Sequence, residues 1–338
     1  MQFIDFDDFE QIKGRGYRGN AGRKIAINID GDVWMLKFPE STRSFAGRAK
    51  ANNHLPSYTT SPLSEYIGSK FYDTLGVPAH EVLLGHREGK VVVACRDFCV
   101  DRDLIEFSMI KNTIDDDVLL GRSGSDSRRE YLSDALAVIR DAPDFEDMRD
   151  EVLERFWDMF VVDAVIMNND RNNGNWGLLS GRYKIELAPV FDNGNAFFNK
   201  RTPSLISARL ESPVSITNDL DCGVSYFVSD EGKSIHPFKF MAGMLDEDCN
   251  NAVTRFARRF EPSRINTVID EIPIEVDGIR VMSTDSKEYH KALIADAADR
   301  VLSIAASLDC REAAMSDYAS APASPKQSLA EVKDEYQR

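Results

Sequence analysis

The chain has 338 residues, 43% of them hydrophobic, enough to bury a sizeable core in two packed lobes rather than one small module. A formal net charge of −15 repels a phosphate backbone over most of the surface and argues against direct nucleic-acid binding. The five cysteines are odd in number and scattered, and Cys95 and Cys99 lack a second pair at zinc-site spacing, which points to a reducing compartment.

The first eight residues are acidic, with neither a basic flank nor a long apolar run, so no cleaved signal peptide and no spanning helix are expected there. Cytoplasmic residence follows, with export by a route that needs no cleaved signal left open. Next comes a basic island. Lys13, Arg15, Arg18, Arg23 and Lys24 have no acid among them, and Gly14, Gly16, Gly19 and Gly22 are interleaved. Such an island suits a small polyanion such as a nucleoside triphosphate.

From Lys24 to Asp30, Ile25, Ile27 and Ile29 alternate with smaller or polar neighbours; Asp30-Gly31 then turns into Val33–Phe38, a β-hairpin signature. Period-2 geometry places Val33, Met35 and Lys37 on one face, which therefore ends in a single ammonium. A helix opens at Ser61-Pro62, with Ser61 as N-cap and Pro62 at the first helical position. Its apolar stripe is Leu63, Ile67, Phe71 and Leu75, Gly76 and Pro78 stop it, and Glu65 lies off the stripe. Two more strands, Val82–Leu84 and Lys90–Cys95, complete a small β-rich lobe ending near residue 100.

Helical patterns then cover 128–140, 149–167, 246–260, 263–271 and 287–308. Arg155–Met167 is apolar nearly all round, as in a buried helix, and Asp158 and Asp163 keep it from spanning a bilayer. From Ala313 the Ala/Ser/Pro-rich composition predicts a disordered tail. The expected organisation is a lobe over 1–100, a second over 101–312 and a tail over 313–338, without internal repeats.

The chemistry concentrates after the buried helix. Asn168–Leu179 is a polar loop in which Asp170 and Asn175 stand at the D-x-x-x-x-N spacing of kinase catalytic loops. Leu187–Gly194 then puts Asp192 at a strand end before a flexible turn, the layout of a metal-binding D-F-G segment with Asn193 in place of Phe. Phosphoryl transfer needs hard oxygen ligands for a metal, a cation on the phosphates and a base for the nucleophile. Asn175 and Asp192 fit the metal, Lys37 the phosphates and Asp170 the base. The glycine island would close over the phosphates through backbone N–H groups.

Each feature alone has an ordinary explanation: a snorkelling edge Lys37, a dipole-compensating Glu65, a glycine-rich loop, a turn built from Asn and Asp. An EF-hand fails, because the sixth and twelfth positions counted from Asp170 are Asn175 and Gly181. The order decides, since glycine loop, strand Lys, helix Glu, D-x-x-x-x-N loop and strand-end Asp follow one another as in a kinase.

These residues resemble the HipA-like kinases, whose catalytic loop also places Arg directly after Asp, as in Asp170-Arg171. Phe156–Val161, Asn173–Gly177, Val91–Cys95, Lys37–Pro39 and Ser64–Tyr66 resemble, within that family, the compact cell-translocating kinase A type. The resemblance covers residues 12 to 300. It implies an α+β, bilobal protein-kinase-like fold with a small β-rich N-lobe and a mostly helical C-lobe. It also implies serine/threonine protein phosphorylation and autophosphorylation, with ATP and Mg²⁺, or Mn²⁺, as cofactors. By position Arg96, Asp97 and Phe98 become the adenine-binding hinge, beside Gly14, Gly16, Gly19, Gly22, Lys24, Lys37 and Glu65 for the nucleotide. The implied partners are protein substrates and an antitoxin-like regulator. The loop from Gly14 to Lys24 lacks Ser and Thr, so inactivating loop-serine phosphorylation does not carry over. A small-molecule or lipid kinase on the same fold, or a nucleotide-binding pseudokinase, are the competing readings.

Overall fold

Residues 1–17, 22–42, 55–114, 119 and 129–320 are described by the computed structural model of the chain. A two-residue strand, β1 (Ile4–Asp5), precedes the expected hairpin of β2 (Lys24–Ile29) and β3 (Asp32–Lys37). Asp30 and Gly31 both take positive φ, 52° and 94°, the geometry of a two-residue hairpin turn matched to strand twist. After helix α1 (Ser61–Thr74) come β4 (Val82–Arg87) and β5 (Lys90–Arg96). These strands form one sheet in the order β1-β4-β5-β3-β2, antiparallel except for the β1–β4 pair.

Strand alternation divides the small lobe into two apolar layers. Ile25, Ile27, Trp34, Leu36, Phe38, Val92 and Ala94 pack with Phe6 on one face. On the other face Val93 and Cys95 join α1 in a core that continues into the helical lobe. α1 begins one residue earlier than Ser61 as N-cap would require: Thr60 holds that position, without a side-chain cap. The Thr60 amide and hydroxyl both donate to the Asn199 carbonyl, at 2.8 and 3.2 Å, so the helix entry is fixed by the other lobe.

After β5 come β6 (Asp103–Glu106), α2 (Phe107–Lys111), β7 (Glu130–Tyr131) and α3 (Leu132–Asp141). The helix expected from 128 thus begins at Leu132. Glu130, held by Lys111 and Asn173, stays extended instead. α4 (Arg149–Ile166) is the buried central helix, followed by β8 (Gly177–Ser180) and β9 (Ile185–Leu187), which pair in the order β6-β8-β9.

Then follow α5 (Pro203–Leu210), α6 (Pro213–Asp221), β10 (Phe227–Val228), α7 (Pro237–Gly243), α8 (Glu247–Arg259) and α9 (Pro262–Glu271). A short hairpin, β11 (Glu275–Val276) and β12 (Ile279–Arg280), leads into α10 (Thr284–Ser320). α10 runs past the expected stop at 308. Ala313 and Ala314 favour helix, and the next breaker in the sequence is Pro322. Residues 321–338 of the expected tail lie outside the described residues. Among the described residues no helix is long and apolar enough to cross a membrane.

Candidate active site

β3 turns Trp34 and Leu36 into one core and Lys37 toward α1. There the Lys37 ammonium donates to Glu65 Oε2 at 2.8 Å and to Asp192 Oδ1 at 3.0 Å. Glu65 is only 1% exposed, and its other oxygen accepts from His80 Nε2 at 2.9 Å and from the Asn193 amide at 3.0 Å. Burial alone would raise the Glu65 pKa, but Lys37 and His80 outweigh it and hold the carboxyl well below its usual range. Burial likewise works against the Lys37 charge, yet Asp192 and Glu65 keep its pKa well above the ordinary value. Lys24 stands opposite Lys37 in the ladder. Burial and the neighbouring Lys37 charge lower its pKa.

The catalytic-loop candidate is built from side-chain-to-backbone turns. α4 ends at Met167 in the left-handed region, after which Asn168 Oδ1 accepts from the Asp170 amide at 3.2 Å. Asn172 Oδ1 accepts from the Gly174 amide at 2.9 Å, and Asn175 Nδ2 donates to the Asp170 carbonyl at 2.8 Å. Asn175 therefore spends its amide nitrogen on the loop. Asp170 is exposed to solvent on one side, and the protein packed around its other side partly desolvates it. That desolvation, reinforced by the charge of Asp192 and only partly offset by a hydrogen bond from Asn172, raises its pKa.

Asp192 takes a left-handed φ of 61°, a conformation that costs on the order of 1 kcal/mol or more for a residue with a Cβ. Its neighbours hold it there. Asn193 is fully buried; its amide nitrogen donates to Ser69 Oγ at 3.1 Å, and its amide oxygen accepts from Arg171 at 2.6 Å. An apolar side chain at 193 could make neither bond, which explains why the D-F-G position carries Asn here. Arg171 continues the network. It donates to both oxygens of Asp163, at 2.9 and 3.0 Å, and to the backbone carbonyls of Phe191 and Asn175.

The remaining expected residues divide. Gly22 has a φ of +67°, and a Cβ there would stand 2.5 Å from the Phe38 carbonyl oxygen, so glycine is required by the strand beside it. Gly14 also has positive φ, Gly16 does not, and a Cβ on either would meet nothing within 4 Å. Gly19 lies outside the described residues. Arg96 turns away from the site and pairs on the surface with Asp32 and Glu81. The Asp97 amide donates to the Val33 carbonyl, and its carboxylate accepts from Arg15 and Tyr17 of the glycine island, at 2.9 and 2.8 Å. Phe98 packs on Phe191 with ring centroids 5.4 Å apart.

Beside the loop lies a cavity of about 350 Å³, walled by Phe156, Phe160, Phe227 and Tyr226, with Asn169 and Asn195 among its polar lining. Nothing in the sequence reading marked it, nor Asp163, Arg171, His80, Ser69 and Asn193 as working parts. One signal was present: a carboxylate inside an otherwise apolar helix must find a buried cation, and Asp163 finds Arg171 as Asp158 finds Arg255.

No family model matches the chain. It is 30% identical over 315 residues to the serine/threonine-protein kinase CtkA of Helicobacter pylori, spanning 90% of this chain and 88% of that protein. The crystal structure of a Helicobacter pylori proinflammatory kinase CtkA overlays with a TM-score of 0.78 at 26% identity, covering 90% of this chain and 96% of the other. A chain of a Shewanella oneidensis HipA, HipB and operator DNA complex overlays at a TM-score of 0.47 and 15% identity, too weak to bear on function. By this likeness to CtkA in sequence and in fold, the chain belongs to the CtkA type of serine/threonine-protein kinases.

Proposed function

We propose that the chain transfers the γ-phosphate of Mg-ATP to serine or threonine hydroxyls of proteins, its own included, at the site formed by Lys37, Asp170, Asn175 and Asp192. The observation that carries this reading is the convergence on Lys37 of two carboxylates from separate elements, one on α1 and one beyond β9. A lysine held between two carboxylates has its ammonium position fixed before any phosphate arrives. The donor set also fits a hard cation. Asp170 and Asp192 are close enough for one charge to raise the other's pKa, and the Asn175 amide oxygen adds a neutral ligand.

A bound divalent ion supplies charge neutralisation at the phosphate oxygens. Asn175 and Asp192 would hold it, Lys37 would hold the phosphates, and Asp170 would accept the proton of the acceptor hydroxyl. A carboxylate with a raised pKa is the better base for that last step. Gly14, Gly16, Gly22 and Lys24, with Gly19, would border the triphosphate. Backbone groups of Arg96–Phe98 would meet adenine, since the Arg96 side chain is engaged elsewhere. We place the lobe boundary at residues 100/101 and the end of the second lobe near 312. Mg²⁺ is preferred with Mn²⁺ as substitute. An antitoxin-like regulator and export to host cells, both implied by the family, stand as proposals for co-purification and fractionation to test.

Purified chain with Mg-ATP labels itself or a generic protein on this reading, and Asp170→Asn abolishes the label. Absence of incorporation with either Mg²⁺ or Mn²⁺ contradicts it. ADP release with a small alcohol but with no protein would move the acceptor class from proteins to small molecules.

A further inference from the structure

At the sheet edge away from β2, β1 and β4 pair with Asp5 opposite His86, and β4 lies two strands from β3. Three donors converge there. His86 Nδ1 lies 3.7 Å from Asp5 Oδ1 and 3.9 Å from Asp7 Oδ2, and the three ligand atoms lie within 4.8 Å of one another. The His86 residue is 6% exposed, and its Nδ1 is buried without a hydrogen-bond partner. An imidazole serving only as an ionic partner would turn to one carboxylate and bond it at about 2.7–3.2 Å. This ring sits between two oxygens and bonds neither.

We propose that Asp5, Asp7 and His86 form a binding site for a divalent transition cation of the Zn²⁺ class, separate from the nucleotide cleft. Two donors each about 2.1 Å from one ion stand at most about 4.2 Å apart, and both separations from His86 fall inside that span. One imidazole with two carboxylates suits Zn²⁺ better than Mg²⁺ or Ca²⁺, which prefer oxygen alone. Water completes the shell, since Asp5 and Asp7 are exposed.

The outer contacts are those a metal site needs. The Asp7 amide donates to Asp5 Oδ1 at 2.9 Å, and the Glu88 amide donates to Asp7 Oδ1 at 2.8 Å, which leaves Asp7 Oδ2 facing His86. The other close cluster among the described residues, Glu65 with His80 and Cys95, is different. Its carboxylate is already committed to Lys37, His80 and the Asn193 amide. An ion at Asp5, Asp7 and His86 ties the first strand to β4 and so stabilises the fold when bound.

The test is calorimetric titration of metal-free, full-length chain with Zn²⁺, and with Co²⁺ followed by its visible absorption, in parallel with thermal melts. Wild type takes up one equivalent more than His86→Gln, Asp7→Asn binds that equivalent at least tenfold more weakly, and Zn²⁺ raises Tm in wild type alone. If His86→Gln fails to fold, Asp7→Asn, altered at an exposed residue, makes the same comparison. Equal uptake by wild type and both variants overturns the site, whether no ion binds or one binds elsewhere, as at the exposed Cys222 and Cys310 thiols.

Discussion

The Lys37 ammonium and the Glu65 carboxylate meet at 2.8 Å across 28 residues of sequence, with Glu65 almost fully buried and the Lys37 side chain 13% exposed. Such a pair is strong because His80 and the Asn193 amide satisfy the second carboxylate oxygen. Removing one partner of a satisfied buried pair leaves the other uncompensated.

Lys37→Met is therefore expected to lower kcat/KM for phosphoryl transfer by about 10²–10³-fold, the range for loss of one preorganised electrostatic donor. Initial rates of labelling over a range of ATP concentrations measure it. An unchanged rate would place Lys37 outside the phosphate site.

Arg171 and Asp163 should behave as one unit. Replacing either alone, as Arg171→Met or Asp163→Asn, is expected to destabilise the fold by about 3–5 kcal/mol, because a buried charge loses its partner. The double replacement should cost less than the sum of the two. Denaturant melts of the four proteins in the cycle give the coupling, and strict additivity would count against the pair.

Gly68 lies on the face of α1 that touches Asn193, next to Asp192. A Cβ there would stand 2.8 Å from the Asn193 Cβ, closer than packed atoms tolerate, so Gly68→Ala must push α1 away from Asn193. The expectation is a loss of labelling activity of at least tenfold with the secondary structure kept, read by activity assay beside circular dichroism. Glycine here permits close approach, and helix propensity by itself would favour the alanine.

His290 gives a pH signature. Burial against Phe197 pushes its pKa down to about 4, while the unfolded chain keeps a value near 6.5. Between these values the unfolded state binds the proton and the native state does not, so stability is whole above about pH 6.5 and falls as pH drops toward 4. The loss approaches roughly 3 kcal/mol, and His290→Gln should flatten that limb of the Tm against pH curve. A parallel curve for the variant would assign the acid sensitivity to other groups.

Much of the candidate site was legible because its residues obey local rules. Lys37 follows from strand alternation, and Asp170 and Asn175 from spacing within one loop. Asp192 follows from a carboxylate at a strand end before Asn193 and Gly194. What holds them was hidden, since Asp163, Arg171, Asn193, Ser69 and His80 act through partners distant in sequence, and hydrogen bonding across a core leaves no periodic trace. The same limit explains the misplaced start of α3, where Glu130 is kept extended by Lys111 and Asn173 against a helical pattern. It also explains the small strand β1, too short at two residues for alternation to show.

The most direct test of the central claim is phosphosite mass spectrometry of the purified chain after incubation with Mg-ATP, wild type beside Asp170→Asn. Phosphoryl groups on serine or threonine in the wild type, absent from the variant while both still bind nucleotide, are the result expected from the converging Lys37, Asp170, Asn175 and Asp192. Equal phosphorylation of both proteins, or none in either, would contradict it.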